Sequence, residues 1–234
     1  MSQEVEQKVI STGREELDNR IGGGIPLESL TLIEGGSHSG KSVFTQQLIW
    51  GTARDGFKTS VFTSENTVNS LVRQMQSLNL DTLSYLLLGR VRIFPFEIVE
   101  SQSQTLDHLL EAIGNEAQKK QEIIFVDALT PCIMGADAND AARYFEHCKK
   151  ISAAGTSILT VIHSYAVDKD FLIRVQALCD AHLRFRTESD GNRLIKLLEV
   201  AKIRGASRNT GNIVSFEIEP GIGLRVVPIS KAQG

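Results

Sequence analysis

Eight consecutive residues, Gly35-Gly36-Ser37-His38-Ser39-Gly40-Lys41-Ser42, satisfy the pattern G-x-x-x-x-G-K-[ST] in full. The chemistry of such a run is specific. Glycines at positions 35 and 40 tolerate positive φ and let the backbone wrap an anion closely. The N–H groups of the loop and the positive end of the following helix face phosphate oxygens. Lys41 supplies a point charge for β- and γ-phosphates, and the Ser42 hydroxyl is placed for Mg²⁺. The expected nucleotide-binding run is therefore Gly36, Ser37, His38, Ser39, Gly40, Lys41, Ser42 and Val43. A chance glycine-rich turn is the alternative. It fits poorly with an apolar strand before the run and a helix after it.

Five further positions carry chemistry. Asp127 ends the apolar run Ile123-Ile124-Phe125-Val126. An acid at the C-terminal tip of a buried parallel strand stands where open α/β sheets bind ligands. Its expected role is to hold the Mg²⁺ shell, with a helix cap as the alternative. Glu65 follows another apolar strand and reaches the same edge, where it can polarise an attacking water or serve as a surface acid. His163 ends the strand TSILTVIH, either as a sensor beside the phosphates or as a structural histidine. Lys202 and Arg204 flank Ile203 on a long strand. Alternation points both cations to one face. Two cations so placed suit a γ-phosphate, including one in a neighbouring subunit. Two solvated charges on an edge strand are the plainer reading.

These residues need elements to hold them. Ser29–Gly35 reads as a buried strand, Lys41–Ala53 as a helix, and Thr59–Glu65 as a second strand. In Thr67–Asn79 the positions Val68, Leu71, Val72, Met75 and Leu78 share one helical face. Arg90–Phe96 reads as a short strand, 103–120 as helix, Glu122–Asp127 as a buried strand, 138–153 as helix and Thr156–His163 as strand. Beyond it Asp180–Thr187, Arg193–Arg204, Asn212–Glu219 and Leu224–Ile229 are strands without helices between them, with a hairpin signal at Ser189–Asn192. The expected fold is α/β: a mostly parallel sheet with helices on both faces and antiparallel strands at the C-terminal edge.

Composition narrows the function classes. The 234 residues are 41% hydrophobic and 23% charged, as in an ordinary globular protein. No apolar run approaches the ~18 residues of a membrane helix, so no direct membrane insertion is expected. The polar start MSQEVEQKVI is not a secretory signal. Cys132, Cys148 and Cys179 are odd in number and widely spaced, which argues for core thiols in a reducing cytoplasm. The formal net charge of −3 excludes a strongly basic DNA-coating protein. There is no internal repeat or charged linker, so one domain over residues 1–234 is expected.

Several motifs then converge on a family. Ser11-Thr12-Gly13, Leu17-Asp18 and Gly22-Gly23-Gly24-Ile25-Pro26, leading into the phosphate loop, resemble the opening of the KaiC and RecA group of P-loop ATPases. The resemblance continues through Asp127 and Lys202-Ile203-Arg204-Gly205. Within that group the short chain is most similar to the FlaH (ArlH) family, ATP-binding subunits of the archaellum motor. STGREELDNRIGGGIP, SENT at Ser64–Thr67 and GIGLRVVPIS at Gly221–Ser230 support this. The resemblance implies a RecA-like fold, ATP and Mg²⁺ as ligands, and ring or hexamer formation. It also implies docking to the motor ATPase FlaI and other platform proteins at the cytoplasmic face of the membrane.

Two departures bear on activity. Many KaiC-type domains carry paired glutamates where this chain has Glu65-Asn66, and a serine where Ala128 follows Asp127. Both imply weakened water activation with phosphate binding intact, hence a regulator with at most slow ATPase activity. The matching trans-acting pair Lys202 and Arg204 argues the other way. A KaiC-like regulatory ATPase of another role is one alternative. A RadB-like recombination accessory is another, although Ser164–Gln176 is less basic and glycine-rich than a RecA-type DNA loop.

Overall fold

The computed structural model describes residues 8–98, 101–190 and 193–228. In chain order the elements are β1 (Val9–Ile10), α1 (Glu15–Arg20), β2 (Ile25–Pro26), β3 (Leu30–Gly35), α2 (Lys41–Arg54), β4 (Thr59–Thr63), α3 (Val68–Ser77), α4 (Leu83–Leu87), β5 (Val91–Pro95), α5 (Gln102–Gln118), β6 (Ile123–Asp127), α6 (Thr130–Ile133), α7 (Ala138–Ala153), β7 (Ser157–His163), α8 (Lys169–Leu178), β8 (Ala181–Asp190), β9 (Arg193–Ile203), β10 (Ile213–Glu219) and β11 (Gly223–Val226).

Among the described residues the main sheet has nine strands in the order β11-β10-β9-β8-β3-β7-β6-β4-β5. Strands β5, β4, β6, β7, β3 and β8 run parallel, and β9, β10 and β11 continue antiparallel. The expected architecture therefore holds, with β8 as the strand where direction changes. Parallel strands buried on both faces read as continuous apolar runs because alternate side chains feed opposite layers. In β6, Ile123 and Phe125 enter the layer beneath α2 and α3, while Ile124 and Val126 enter the layer beneath α5 and α7. Ile33 against Leu30 and Leu32 divides in the same way in β3. The three cysteines are free and buried, as core thiols.

The opening motif has a packing role. Ser11 Oγ donates to Asp18 Oδ2 at 2.6 Å, and the Thr12 amide donates to Asp18 Oδ1 at 2.8 Å. The strap so formed lies across α2: a Cβ on Gly51 would stand 2.2 Å from the Ser11 carbonyl oxygen. Only glycine permits that approach of backbone to helix.

Some boundaries move. The second strand ends at Thr63 rather than Glu65, because the Ser64 amide turns to the Asp127 carbonyl and its hydroxyl to that of Ala128. Thr67 caps α3 by accepting from the Ser70 amide, and Val68 is 36% exposed while Leu71, Met75 and Leu78 are buried. The short pieces β1, β2, α1, α4 and α6, and the ten-residue helix α8, lay outside the sequence expectation. The hairpin signal Ser189–Asn192 joins β8 to β9, with residues 191 and 192 outside the described residues. The last expected strand closes at Val226, and Ile229 also lies outside them.

Candidate functional site

The loop from Gly35 to Gly40 leaves the C-terminal end of β3 and enters α2 at Lys41. The central β3 is hydrogen-bonded to β8 and β7, so the loop is held from both sides. A Cβ on Gly35 would stand 2.2 Å from the Phe185 carbonyl oxygen of β8. Gly40, at φ 98°, caps α2 without a side-chain bond, and a Cβ there would meet the Phe216 ring at 2.8 Å. The first amides of α2 are thus open to an anion. Ser39 is buried and its hydroxyl closes the loop by donating to the Gly36 carbonyl at 2.8 Å. Ser37 and His38 are exposed at the tip, where Ser37 Oγ lies 3.2 Å from the Tyr165 hydroxyl.

Lys41 is buried and folds back on the loop. Its Nζ donates to the carbonyls of Gly35 at 2.9 Å and Gly36 at 2.7 Å, and stands 3.4 Å from His163 Nδ1. Burial lowers its pKa, against the raising influence of Asp127 and Glu65. Gly35 and His163 are register partners on β3 and β7, so the histidine is delivered directly beside the loop. Its Nε2 meets Glu65 Oε1 at 3.2 Å, and its amide donates to Thr130 Oγ1 at 2.8 Å. Lys41, His163 and Glu65 therefore form one polar chain across the C-terminal ends of the strands.

Asp127 is 4% exposed and its Oδ1 has no hydrogen-bond partner. Burial, reinforced by the charge of Glu65 and opposed by Lys41, pushes its carboxyl up to about 7. A buried carboxylate with an unmet oxygen calls for a cation. With the Ser42 hydroxyl on the first turn of α2 it offers hard oxygen donors of the kind Mg²⁺ takes, so these residues fit that ion.

Lys202 and Arg204 do not join this cluster. Ile203 is opposite Ala181, which is beside Thr31 at the start of β3. That is the edge of the sheet opposite the phosphate loop. Ile203 is buried, as the alternation required, and the two cations stand outside it. Lys202 Nζ donates to the Gln176 carbonyl at 2.6 Å, and Arg204 pairs with Asp180 at 3.6 Å. From there neither cation reaches the phosphate loop of its own chain.

Lys196 and Ile218 of the cleft were not signalled by the sequence. Lys196, on β9, donates to the His38 carbonyl at 2.7 Å and lines the cleft with Lys41, Ser42, Val43, His163 and Ile218. Nothing local marks it, because strand register across β8, β9 and β10 decides its place.

Fold and loop together define a P-loop ATPase with a RecA-like sheet. The model of the family "ATPase: KaiC" matches residues 10–231, and the chain belongs to that family. It is 28% identical over 225 residues to the archaeal flagellar ATP-binding protein FlaH of Sulfolobus acidocaldarius, covering 95% of this chain and 98% of that one. The crystal structure of flagellar accessory protein FlaH from Methanocaldococcus jannaschii is similar at a TM-score of 0.81 and 25% identity, covering 95% of this chain and 100% of that one. The circadian clock oscillator protein KaiC of Synechococcus elongatus is 23% identical over 90% of this chain and 43% of its own length. Among the described residues no helix is long and apolar enough to cross a membrane.

Proposed function

We propose that this chain is an ATP-binding regulatory or assembly subunit of the archaellum motor. In this reading it works as one domain, binds ATP with Mg²⁺ and hydrolyses it slowly or not at all. It forms a nucleotide-dependent ring that docks to the motor ATPase FlaI at the cytoplasmic face of the membrane. The likeness to FlaH along nearly the whole of both chains supports the archaellum setting.

The observation that carries the regulatory part is the Lys41–His163–Glu65 chain. Glu65 is the single carboxylate where paired ones are common in the family, and His163 holds it. A γ-phosphate arriving at Lys41 draws the ammonium from the Gly35 and Gly36 carbonyls. His163 feels that movement and passes it to Glu65. Amides of the loop hold the phosphates, Ser42 and Asp127 would hold Mg²⁺, and that ion, when bound, screens the charge between β- and γ-phosphates. Glu65 positions water weakly, so the site favours sensing over turnover.

The test is ATP affinity and turnover on one preparation, with and without FlaI. Tight binding, turnover well below the ~1–100 s⁻¹ of efficient phosphoryl-transfer enzymes and retention of FlaI on the immobilised chain support the reading. Fast turnover without FlaI, or no retention of FlaI in any nucleotide state, overturns it.

A further inference from the structure

Lys196 reaches the phosphate loop from β9, on the other side of β3 from the β7 that carries His163. It is half-buried, and its stem lies so close to Gly40 that a Cβ there would stand 3.5 Å from Lys196 Cδ. Its placement is enforced by pairing. Lys196 is opposite Phe216 on β10 and Thr187 on β8, and the Phe216 ring itself packs on Gly40. A residue 158 positions from His38 in the chain thus delivers its ammonium to the His38 carbonyl.

The charge of that ammonium is uncompensated. Among the described residues no carboxylate pairs with Lys196, and its hydrogen bond goes to a neutral carbonyl. The acids of the neighbouring strand positions, Glu188 and Glu199, are taken by Arg184 and Arg186. Lys41 behaves alike, with its ammonium on the carbonyls of Gly35 and Gly36. Two ammonium groups, Lys41 buried and Lys196 reaching in from the exposed side, rest on carbonyls of one anion-binding loop, and both are available to a polyphosphate. Their positions differ. Asp127, Glu65 and His163 gather on the Lys41 side, where the β- and γ-phosphates are held. Lys196 comes from β9, across β3 from the β7 that carries His163, and ends on the His38 carbonyl within the loop whose amides cradle the α- and β-phosphates.

We propose that Lys196 is a second polyphosphate-binding cation, contributed in cis by β9 and directed to the α- and β-phosphates. This rests on the nucleotide reading of the loop and deepens it. Because the contact is common to di- and triphosphate, Lys196 sets overall affinity, while discrimination between ATP and ADP stays with Lys41 and His163.

The experiment measures MgATP and MgADP affinities of the full chain over a range of salt, for wild type, Lys196→Met, Lys196→Arg and Lys41→Ala. Lys196→Met is expected to weaken both nucleotides by a similar factor, roughly three- to tenfold for a part-exposed charge-assisted contact, and to flatten the salt dependence. Lys196→Arg keeps affinity near wild type. A residue that merely braces the His38 carbonyl would lower affinity and leave the salt dependence as steep as before, which overturns the proposal. Wild-type affinity in Lys196→Met overturns it too, provided Lys41→Ala loses binding. If Lys41→Ala also binds as wild type, the nucleotide reading of the loop fails with it.

Discussion

His163 Nε2 lies 3.2 Å from Glu65 Oε1, while the other nitrogen of the same ring lies 3.4 Å from Lys41 Nζ. One imidazole thereby bridges the loop lysine and the acid just past the end of β4, with β6 lying between β7 and β4. Replacing His163 by Ala should leave ATP binding within a few-fold of wild type, since Lys41 keeps the Gly35 and Gly36 carbonyls. It should narrow the difference between ATP and ADP in any response of the protein. Titration calorimetry with both nucleotides checks this, and an unchanged ATP/ADP affinity ratio returns His163 to a structural role.

Lys41→Ala removes the charge that meets the β- and γ-phosphates. A charge-assisted contact is worth ~1.5–3 kcal/mol, so affinity should fall roughly ten- to a hundredfold. Unchanged ATP affinity would falsify the assignment of the loop.

Glu65→Gln should spare nucleotide binding and lower whatever hydrolysis wild type has. The side chain is 37% exposed and its partner is His163, to which an amide can still bond. Single-turnover hydrolysis on matched preparations is the measurement. Hydrolysis equal to wild type would show that Glu65 activates no water.

Arg204 and Lys202 stand at the edge of the sheet away from their own phosphate loop. Arg204→Ala should therefore leave nucleotide affinity of the isolated chain intact and remove the ATP-dependent part of self-association. Sedimentation with ATP, ADP and no nucleotide decides it. A mass that is the same in all three states would leave the two cations as solvated charges paired with Asp180 and Gln176.

Two carboxylates, the buried Glu34 and the partly buried Asp180, make stability depend on acid. Burial raises the pKa of Glu34, but hydrogen bonds from His182 and Arg184 outweigh it and hold the carboxyl below the ordinary range. Asp180 is held low in the same way, by Lys149 and the Leu30 amide against burial. A carboxyl depressed in the folded state adds stability above its unfolded pKa and loses it as pH falls through the folded one. The contribution of these two groups should therefore hold down to about pH 4 and be lost below it, while Asp127, raised to about 7, favours the fold as pH falls toward that point. In Glu34→Gln the protein should melt lower at pH 7 and lose less on acidification. Equal acid slopes in the two proteins would contradict this.

What the sequence determined by itself was local. The phosphate loop needs eight adjacent residues, and their spacing carries the geometry. Asp127 was legible because a continuous apolar run ending in an acid reads as a buried parallel strand and its tip. Helix α7 over Ala138–Ala153 and the run of strands after β8 followed from periodicity and turn residues. Short pieces such as α4 and α6 were not legible, since four or five residues hold too little period to separate helix from loop. The tertiary structure alone decided which charges meet. Strand order put His163 beside Gly35 and within reach of Glu65, register carried Lys196 to the His38 carbonyl, and the antiparallel return of β9 sent Lys202 and Arg204 to the opposite edge. Each of these pairings joins residues far apart in the chain, and a one-residue slip in register would send each side chain to the other face of the sheet.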